Sequence, residues 1–264
     1  MSGGEEFTDE SDFSEYWIDW FLGTKGNEYF CDVDYEYITD RFNLTGLNNE
    51  VYNIQLAIDL ITDNCKLSDI EDERGNDNED EGEEDDDDEQ EKRNQEYRDE
   101  MEYSARILYG LIHARYIITT RGLQKMYEKY KNGDFGYCPR VYCQLQPLLP
   151  VSMNDQLGHS PVKLYCANCE DLYNPKSTRH SYLDGAFFGT SFPAMFFQTF
   201  PQLVPVHNTE VCCPKIYGFE LHEYSKLNRW RELQKRKLIT KLKANGIPVD
   251  NCNGGYASKK KESY

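Results

Sequence analysis

The sequence lacks any run of about 18 consecutive apolar residues, which a membrane-spanning helix needs. Its first ten residues, MSGGEEFTDE, are acidic, whereas a secretory signal peptide begins with basic and then apolar residues. It also lacks the even, regularly spaced cysteines of a small secreted domain, because its nine cysteines are an odd number. We therefore expect reduced thiols or a metal site in a chain of the cytoplasm and the nucleus.

The motifs of common enzyme classes are missing as well. The triplet Asp134-Phe135-Gly136 matches the metal-binding triplet of protein kinases, but there is no G-x-G-x-x-G loop, no V-A-I-K strand and no H-R-D loop. Walker, H-E-x-x-H and G-x-S-x-G motifs are absent too. Asn132-Gly133-Asp134 is better interpreted as a turn between the last helix and the first cysteine pair, and the chain is predicted not to be an enzyme.

Charge is present in excess but is unevenly distributed. The 264 residues carry a formal net charge of -18, acidic residues crowd the stretch from Asp69 to Glu91, and lysine and arginine dominate the last forty residues. Such like-charged stretches repel themselves and bury little apolar surface, so we predict a disordered acidic insertion at about 66–97 and a basic tail at 226–264.

Apolar spacing in the first half predicts helices. A very apolar helix begins near Trp17 and can end at Gly23, a short helix covers 35–42, and a third places Val51, Ile54, Ile58 and Ile61 on one face. After the insertion, a helix from Asp99 to about residue 118 precedes an amphipathic helix over 123–131 that ends at Gly133.

The second half favours strands, with a basic helix predicted at 228–243. The runs VKLYC, AFFGTSF and KIYGFEL are rich in β-favouring residues, and Pro and Gly separate them. The predicted class is α+β: an acidic tail at 1–15, a helical domain at 16–133, a small antiparallel sheet within 134–210, a segment at 211–225 and a flexible C-terminal tail at 226–264.

Four cysteines form two closely spaced pairs, Cys138 with Cys143 and Cys166 with Cys169. Each pair can direct both thiolates at one ion, and four thiolates match the tetrahedral preference of zinc. A shell of four cysteines leaves no open position for water, so we predict one structural Zn²⁺ per chain. The other cysteines have no comparable pairing.

Several runs together resemble one known family. CPRVYC, CANC, NLTGL, LYGLIHARYI, KYKNGDFGYCPR, PKSTRH, DGAFFGT and IYGFELH are similar to runs of casein kinase II regulatory beta subunits, over about residues 16–222. The resemblance implies a zinc ribbon that mediates homodimerisation and a C-terminal segment that binds the catalytic alpha subunits, giving a heterotetramer. A second regulatory isoform could replace one copy in the dimer.

The resemblance also assigns roles to single residues. It implies a dimer surface at Pro139, Val141 and Leu172, which could alternatively belong to the core of the ribbon. It implies kinase docking by Ile216, Tyr217 and Phe219, of which the two aromatic residues are the anchors; without the resemblance they would be ordinary strand residues.

The acidic insertion, with Asp85, Asp86, Asp87 and Asp88 in a continuous run, matches in place the acidic loop of the family. That match implies binding of polyamines or basic substrates, whereas charge alone also fits a solubilising linker. Family autophosphorylation at the N-terminus points to Ser2, which has Glu5 three residues on, and to Ser11 between Glu10 and Asp12.

A nucleic-acid-binding zinc-ribbon factor is the alternative, because ribbons and basic tails recur in transcription proteins. The ribbon region contains only scattered basic residues, including Lys163, Lys176 and Arg179, whereas phosphate-driven binding needs several together. Nucleic acid is therefore an unlikely partner on charge grounds.

Overall fold

A computed structural model describes residues 16–70, 87–206, 215–220, 222 and 224–246. The chain divides into two compact units, one that ends at Val206 and one that begins at His207. No helix among the described residues combines the length and the apolar character needed to cross a membrane.

The first unit has six α-helices and a three-stranded sheet within the described residues. In chain order they are α1 Trp17–Gly23, α2 Tyr35–Thr39, α3 Ile54–Ile61, α4 Asp87–Tyr116, α5 Thr120–Asn132, β1 Leu149–Val151, β2 Lys163–Cys166, β3 Asp171–Tyr173 and α6 Phe192–Thr199. The predicted class, helices followed by a small antiparallel sheet, is confirmed.

The long helix α4 begins at Asp87, twelve residues before the predicted start at Asp99. The segment before the helix packs on it, because the Arg98 guanidinium donates hydrogen bonds to the carbonyls of Ser68 and Ile70, both at 3.0 Å. Ile70 and Tyr97 are both buried. The prediction of a disordered insertion over about 66–97 is therefore wrong at both ends, and residues 71–86 lie outside the described part.

Helix α5 shows clear local signals at both ends. The Thr119 hydroxyl accepts a hydrogen bond from the Gly122 amide at 3.2 Å, which fixes the start of the helix three residues before the predicted Leu123. Gly133 ends it in the left-handed conformation, with φ of 77°. The chain turns at residues 133–135, in agreement with the turn predicted at Asn132-Gly133-Asp134, and Phe135 is buried.

The helices and the sheet region share one hydrophobic core. The predicted domain boundary at residue 133 therefore does not separate two cores. The fully buried His113 of α4 accepts a hydrogen bond from the Cys31 amide at 3.2 Å, and its other ring nitrogen lies 2.8 Å from the Phe187 carbonyl oxygen. The Tyr29 ring stacks on His180 with 4.0 Å between centroids. These contacts hold the loop after α1, α4 and the sheet region together.

The sheet is antiparallel in the order β1-β2-β3, and its middle strand lies within the predicted run VKLYC. The run AFFGTSF was predicted to favour strand, and this is wrong. Its first part is a 3₁₀ turn over Gly185–Phe187, and Phe192 opens α6 with Pro193 in the first turn. Phe192 and Phe196 lie one helical turn apart on the same face of α6, and both are fully buried.

The second unit contains a hairpin and a helix among its described residues. Strands β4 Lys215–Ile216 and β5 Phe219–Glu220 pair antiparallel, and α7 covers Lys226–Ala244, close to the predicted basic helix. The Ser225 hydroxyl caps α7 by accepting a hydrogen bond from the Asn228 amide at 3.3 Å.

Candidate metal centre and docking surfaces

The two predicted cysteine pairs come together in the structure. Cys143 ends a 3₁₀ turn, Cys166 ends β2, and Cys169 lies in the turn between β2 and β3. The Sγ atoms of Cys138, Cys143, Cys166 and Cys169 all lie within 4.8 Å of one another, and those of Cys138 and Cys169 are 3.9 Å apart. Spacing in the sequence thus identified a real cluster.

The donor set and its dimensions fit a tetrahedral zinc ion. Four sulfurs at the usual Zn–S distance of about 2.3 Å are about 3.8 Å from one another. The observed separations are close to this value, and all four donors are thiols, the ligand type that zinc prefers at structural sites. Such a site would supply structural stabilisation rather than a reactive water.

The protonation state of the cysteine thiols depends on whether a metal ion is bound. Burial raises the pKa of Cys143 to about 11 and raises the pKa of Cys166 well above the ordinary range. Without a cation these thiols would be protonated at neutral pH, whereas a divalent metal binds the thiolate and displaces the proton. The cluster would therefore release protons on binding a metal.

A tyrosine hydroxyl also contacts the cysteine cluster, and this contact was not predicted from the sequence. The Tyr173 hydroxyl of β3 lies 3.2 Å from Cys169 Sγ, four residues further along the chain. An outer group of this kind orients a thiolate and tunes its basicity. The only sequence signal for it is the aromatic residue one short strand after the second cysteine pair.

The surface around the cysteine pairs is apolar and exposed. Val141 is 87% exposed, Leu172 is 39% exposed, and Pro139 is also exposed. The Arg140 guanidinium and the Asp171 carboxylate form an ion pair at 3.3 Å, which brings the segment of the first cysteine pair next to β3. The three residues therefore face solvent in this chain and do not form its core.

The predicted docking residues lie on the short hairpin. Ile216 and Phe219 are paired across it, and Tyr217 and Gly218 form the turn with φ of 50° and 85°. Positive φ at both positions is typical of a type I′ turn. The run KIYGFEL was predicted to favour strand, and this is wrong at Tyr217, which lies in the turn. Tyr217 is 97% exposed and Phe219 80% exposed.

The remaining predicted sites fall largely outside the described residues. Ser2, Ser11, Asp85 and Asp86 lie there, and Asp87 and Asp88 form the first two positions of α4.

The sequence model of one family, described as Casein kinase II regulatory subunit, matches residues 16–220. "Casein kinase II subunit beta'" of Saccharomyces cerevisiae is 52% identical over 249 residues, which cover 93% of this chain and 89% of the relative. "Casein kinase II subunit beta" of Schizosaccharomyces pombe is 51% identical over 233 residues, 87% of this chain and 90% of that relative. A Dictyostelium discoideum relative of the same name is 43% identical over 221 residues, 84% of this chain and 74% of the relative.

Proposed function

The chain belongs to the casein kinase II regulatory subunit family, and on this premise we propose that two copies dimerise through a zinc-bearing ribbon and hold two catalytic alpha subunits. The family is regulatory, so this chain is not a kinase itself. The observation that carries the proposal is the extent of the family match, residues 16–220, which includes both the cysteine cluster and the hairpin.

The hairpin is the proposed anchor on the catalytic subunit. Large aromatic side chains that are almost fully exposed are costly to leave in water, and they are the residue types that dominate binding hot spots. Tyr217 in the turn and Phe219 on β5 have this exposure, and Ile216 adds an apolar neighbour that is 57% exposed. A two-residue turn also limits the freedom of the loop, which lowers the entropic cost of binding.

Replacing both aromatic anchors tests this role directly. Each anchor is expected to contribute about 2 kcal/mol, so Tyr217→Ala with Phe219→Ala should weaken binding of the catalytic subunit about a thousandfold. The measurement is the dissociation constant by surface plasmon resonance, with the mass of the regulatory chain measured in parallel.

Tyr182 provides a matched control, because it is an aromatic residue with 89% exposure that belongs to the first unit. Tyr182→Ala should bind as the parent does. Unchanged affinity in the double variant would remove the hairpin from the docking proposal, whether or not the family assignment stands.

The proposed dimer surface comprises Pro139, Val141 and Leu172. These residues border the cysteine cluster, so a bound zinc ion would hold them in place. A two-fold axis through such a patch brings the same residues of both copies together and buries their apolar surface. We propose Zn²⁺ as the metal, one ion per chain.

The acidic stretch around Asp85–Asp88 is proposed to bind basic substrates or polyamines and to modulate substrate selection. Its charge density attracts polycations, and the attraction is screened beyond about 8 Å at physiological salt. Ser2 and Ser11 are proposed as phosphorylation sites, because both have acidic neighbours. Residence in the cytoplasm and the nucleus is proposed together with this function.

A further inference from the structure

An aromatic pocket of about 400 Å³ lies at the beginning of α1. Trp17 and Trp20 of α1 line it together with Leu60 of α3, Leu67 of the following turn and Cys65 between them. The two indole rings contact each other with 6.0 Å between their centroids and an inclination of 57°, and the Trp17 ring also stacks on Phe21. This volume falls within the range of small-ligand pockets.

The charged side chains that line the pocket differ in whether they have a partner. The Asp63 carboxylate accepts a hydrogen bond from the Trp17 amide at 3.0 Å, and Glu102 forms an ion pair with Arg106. Lys66 also lines the pocket and forms no ion pair with any described residue. The Lys66 ammonium group therefore has no carboxylate partner among the described residues. This favours an occupant that has an apolar tip and acidic groups next to it.

Tyr16 lines the same pocket and is the first described residue. Residues 1–15 lie outside the described part, contain six acidic and no basic residues, and include Phe13 three positions before Tyr16. Three residues span at most about 10 Å, so the covalent connection keeps Phe13 within reach of the pocket. The tether also gives Phe13 a high effective concentration there.

We propose that the pocket binds the N-terminal segment of its own chain, with the Phe13 ring against the exposed sides of Trp17 and Trp20 and the neighbouring carboxylates near Lys66. Edge-to-face or offset contacts with the indoles would hold the ring. Burial of one ring is opposed by the entropy of ordering the three connecting residues, so the bound and free states are similar in free energy.

Tryptophan fluorescence tests the proposal, because two of the three tryptophans of the chain line the pocket. In a full-length Trp230→Phe background, all tryptophan emission comes from Trp17 and Trp20. Phe13→Ala should shift this emission to longer wavelength and raise the acrylamide quenching constant roughly twofold, because water and quencher reach the indoles.

Phe7→Ala is the matched control, because it removes the same side chain from the same segment six residues further from the pocket. It should leave emission and quenching unchanged. A second readout is the rate of alkylation of Cys65 measured by peptide mass spectrometry, which should rise in Phe13→Ala and not in Phe7→Ala.

Equal quenching and equal Cys65 alkylation in the parent and in Phe13→Ala would overturn the proposal and leave the pocket open to an external ligand. A response to Phe7→Ala alone would also overturn it, because the assigned side chain would be wrong. Thermal unfolding of each variant checks that the fold is retained.

Discussion

Replacing the buried His113 with glutamine should reduce the loss of stability that the protein undergoes on mild acidification. The imidazole is fully buried, and Phe30 and Phe188 pack against it edge-on. Its Nε2 accepts the Cys31 amide hydrogen, so the single proton of the neutral ring is on Nδ1 and is donated to the Phe187 carbonyl. A second proton would disrupt the contact with Cys31.

The sign and size of the effect follow from the pKa. Burial lowers the pKa of His113 from its ordinary value of 6.5 to about 4. Above pH 6.5 the ring is neutral in both folded and unfolded chains and contributes no pH dependence. Between pH 6.5 and 4 only the unfolded chain takes up the proton, so the free energy of unfolding falls by up to about 3 kcal/mol, of which about 2 kcal/mol is lost by pH 5.

Urea unfolding at pH 7.5 and pH 5.0 measures this effect in the parent and in His113→Gln. The variant should be less stable at pH 7.5, because glutamine does not reproduce both hydrogen bonds, but its free energy of unfolding should fall about 2 kcal/mol less between the two pH values. Other acid-sensitive groups, the cysteine cluster included, are common to both chains and cancel in the comparison.

The exposed His159 supplies the control, and His159→Gln should keep the pH dependence of the parent. If His113→Gln and the parent lost the same stability on acidification, the assignment of a buried neutral imidazole would be refuted.

Two further substitutions test packing and assembly. Gly110→Ala would place a methyl group against the Phe187 ring and should lower the free energy of unfolding by about 1–3 kcal/mol in urea titrations, and full stability would contradict the close packing of α4 on the 3₁₀ turn. Val141→Glu should convert the proposed dimer into a zinc-bearing monomer in light scattering, because a two-fold axis brings two carboxylates together on one apolar patch. A persistent dimer would place the interface elsewhere.

Features encoded within a few residues could be predicted from the sequence. Gly23 and Gly133 lie at the ends of α1 and α5 as expected, and Gly133 adopts the left-handed conformation that glycine accepts without strain. The two cysteine pairs were equally visible, since the members of each pair are at most five positions apart in the chain. Their spacing alone predicted which four thiols come together.

Features that depend on distant contacts were missed. The segment near residue 70 is held by hydrogen bonds from Arg98 of α4, about thirty positions away in the chain, and local composition does not show such contacts. The run AFFGTSF suggested a strand from its aromatic residues, although Phe192 and Phe196 recur at a helical spacing of four. Tyr217 was included in a β-favouring run, and its left-handed turn conformation is uncommon for a bulky residue.

The most direct test of the regulatory account is the mass and metal content of the purified chain, alone and mixed with a casein kinase II catalytic subunit. Size exclusion with light scattering gives the mass, and elemental analysis gives the zinc. The account predicts one zinc per chain, a dimer alone and a four-chain complex in the mixture. A zinc-bearing monomer that does not bind the catalytic subunit would contradict it.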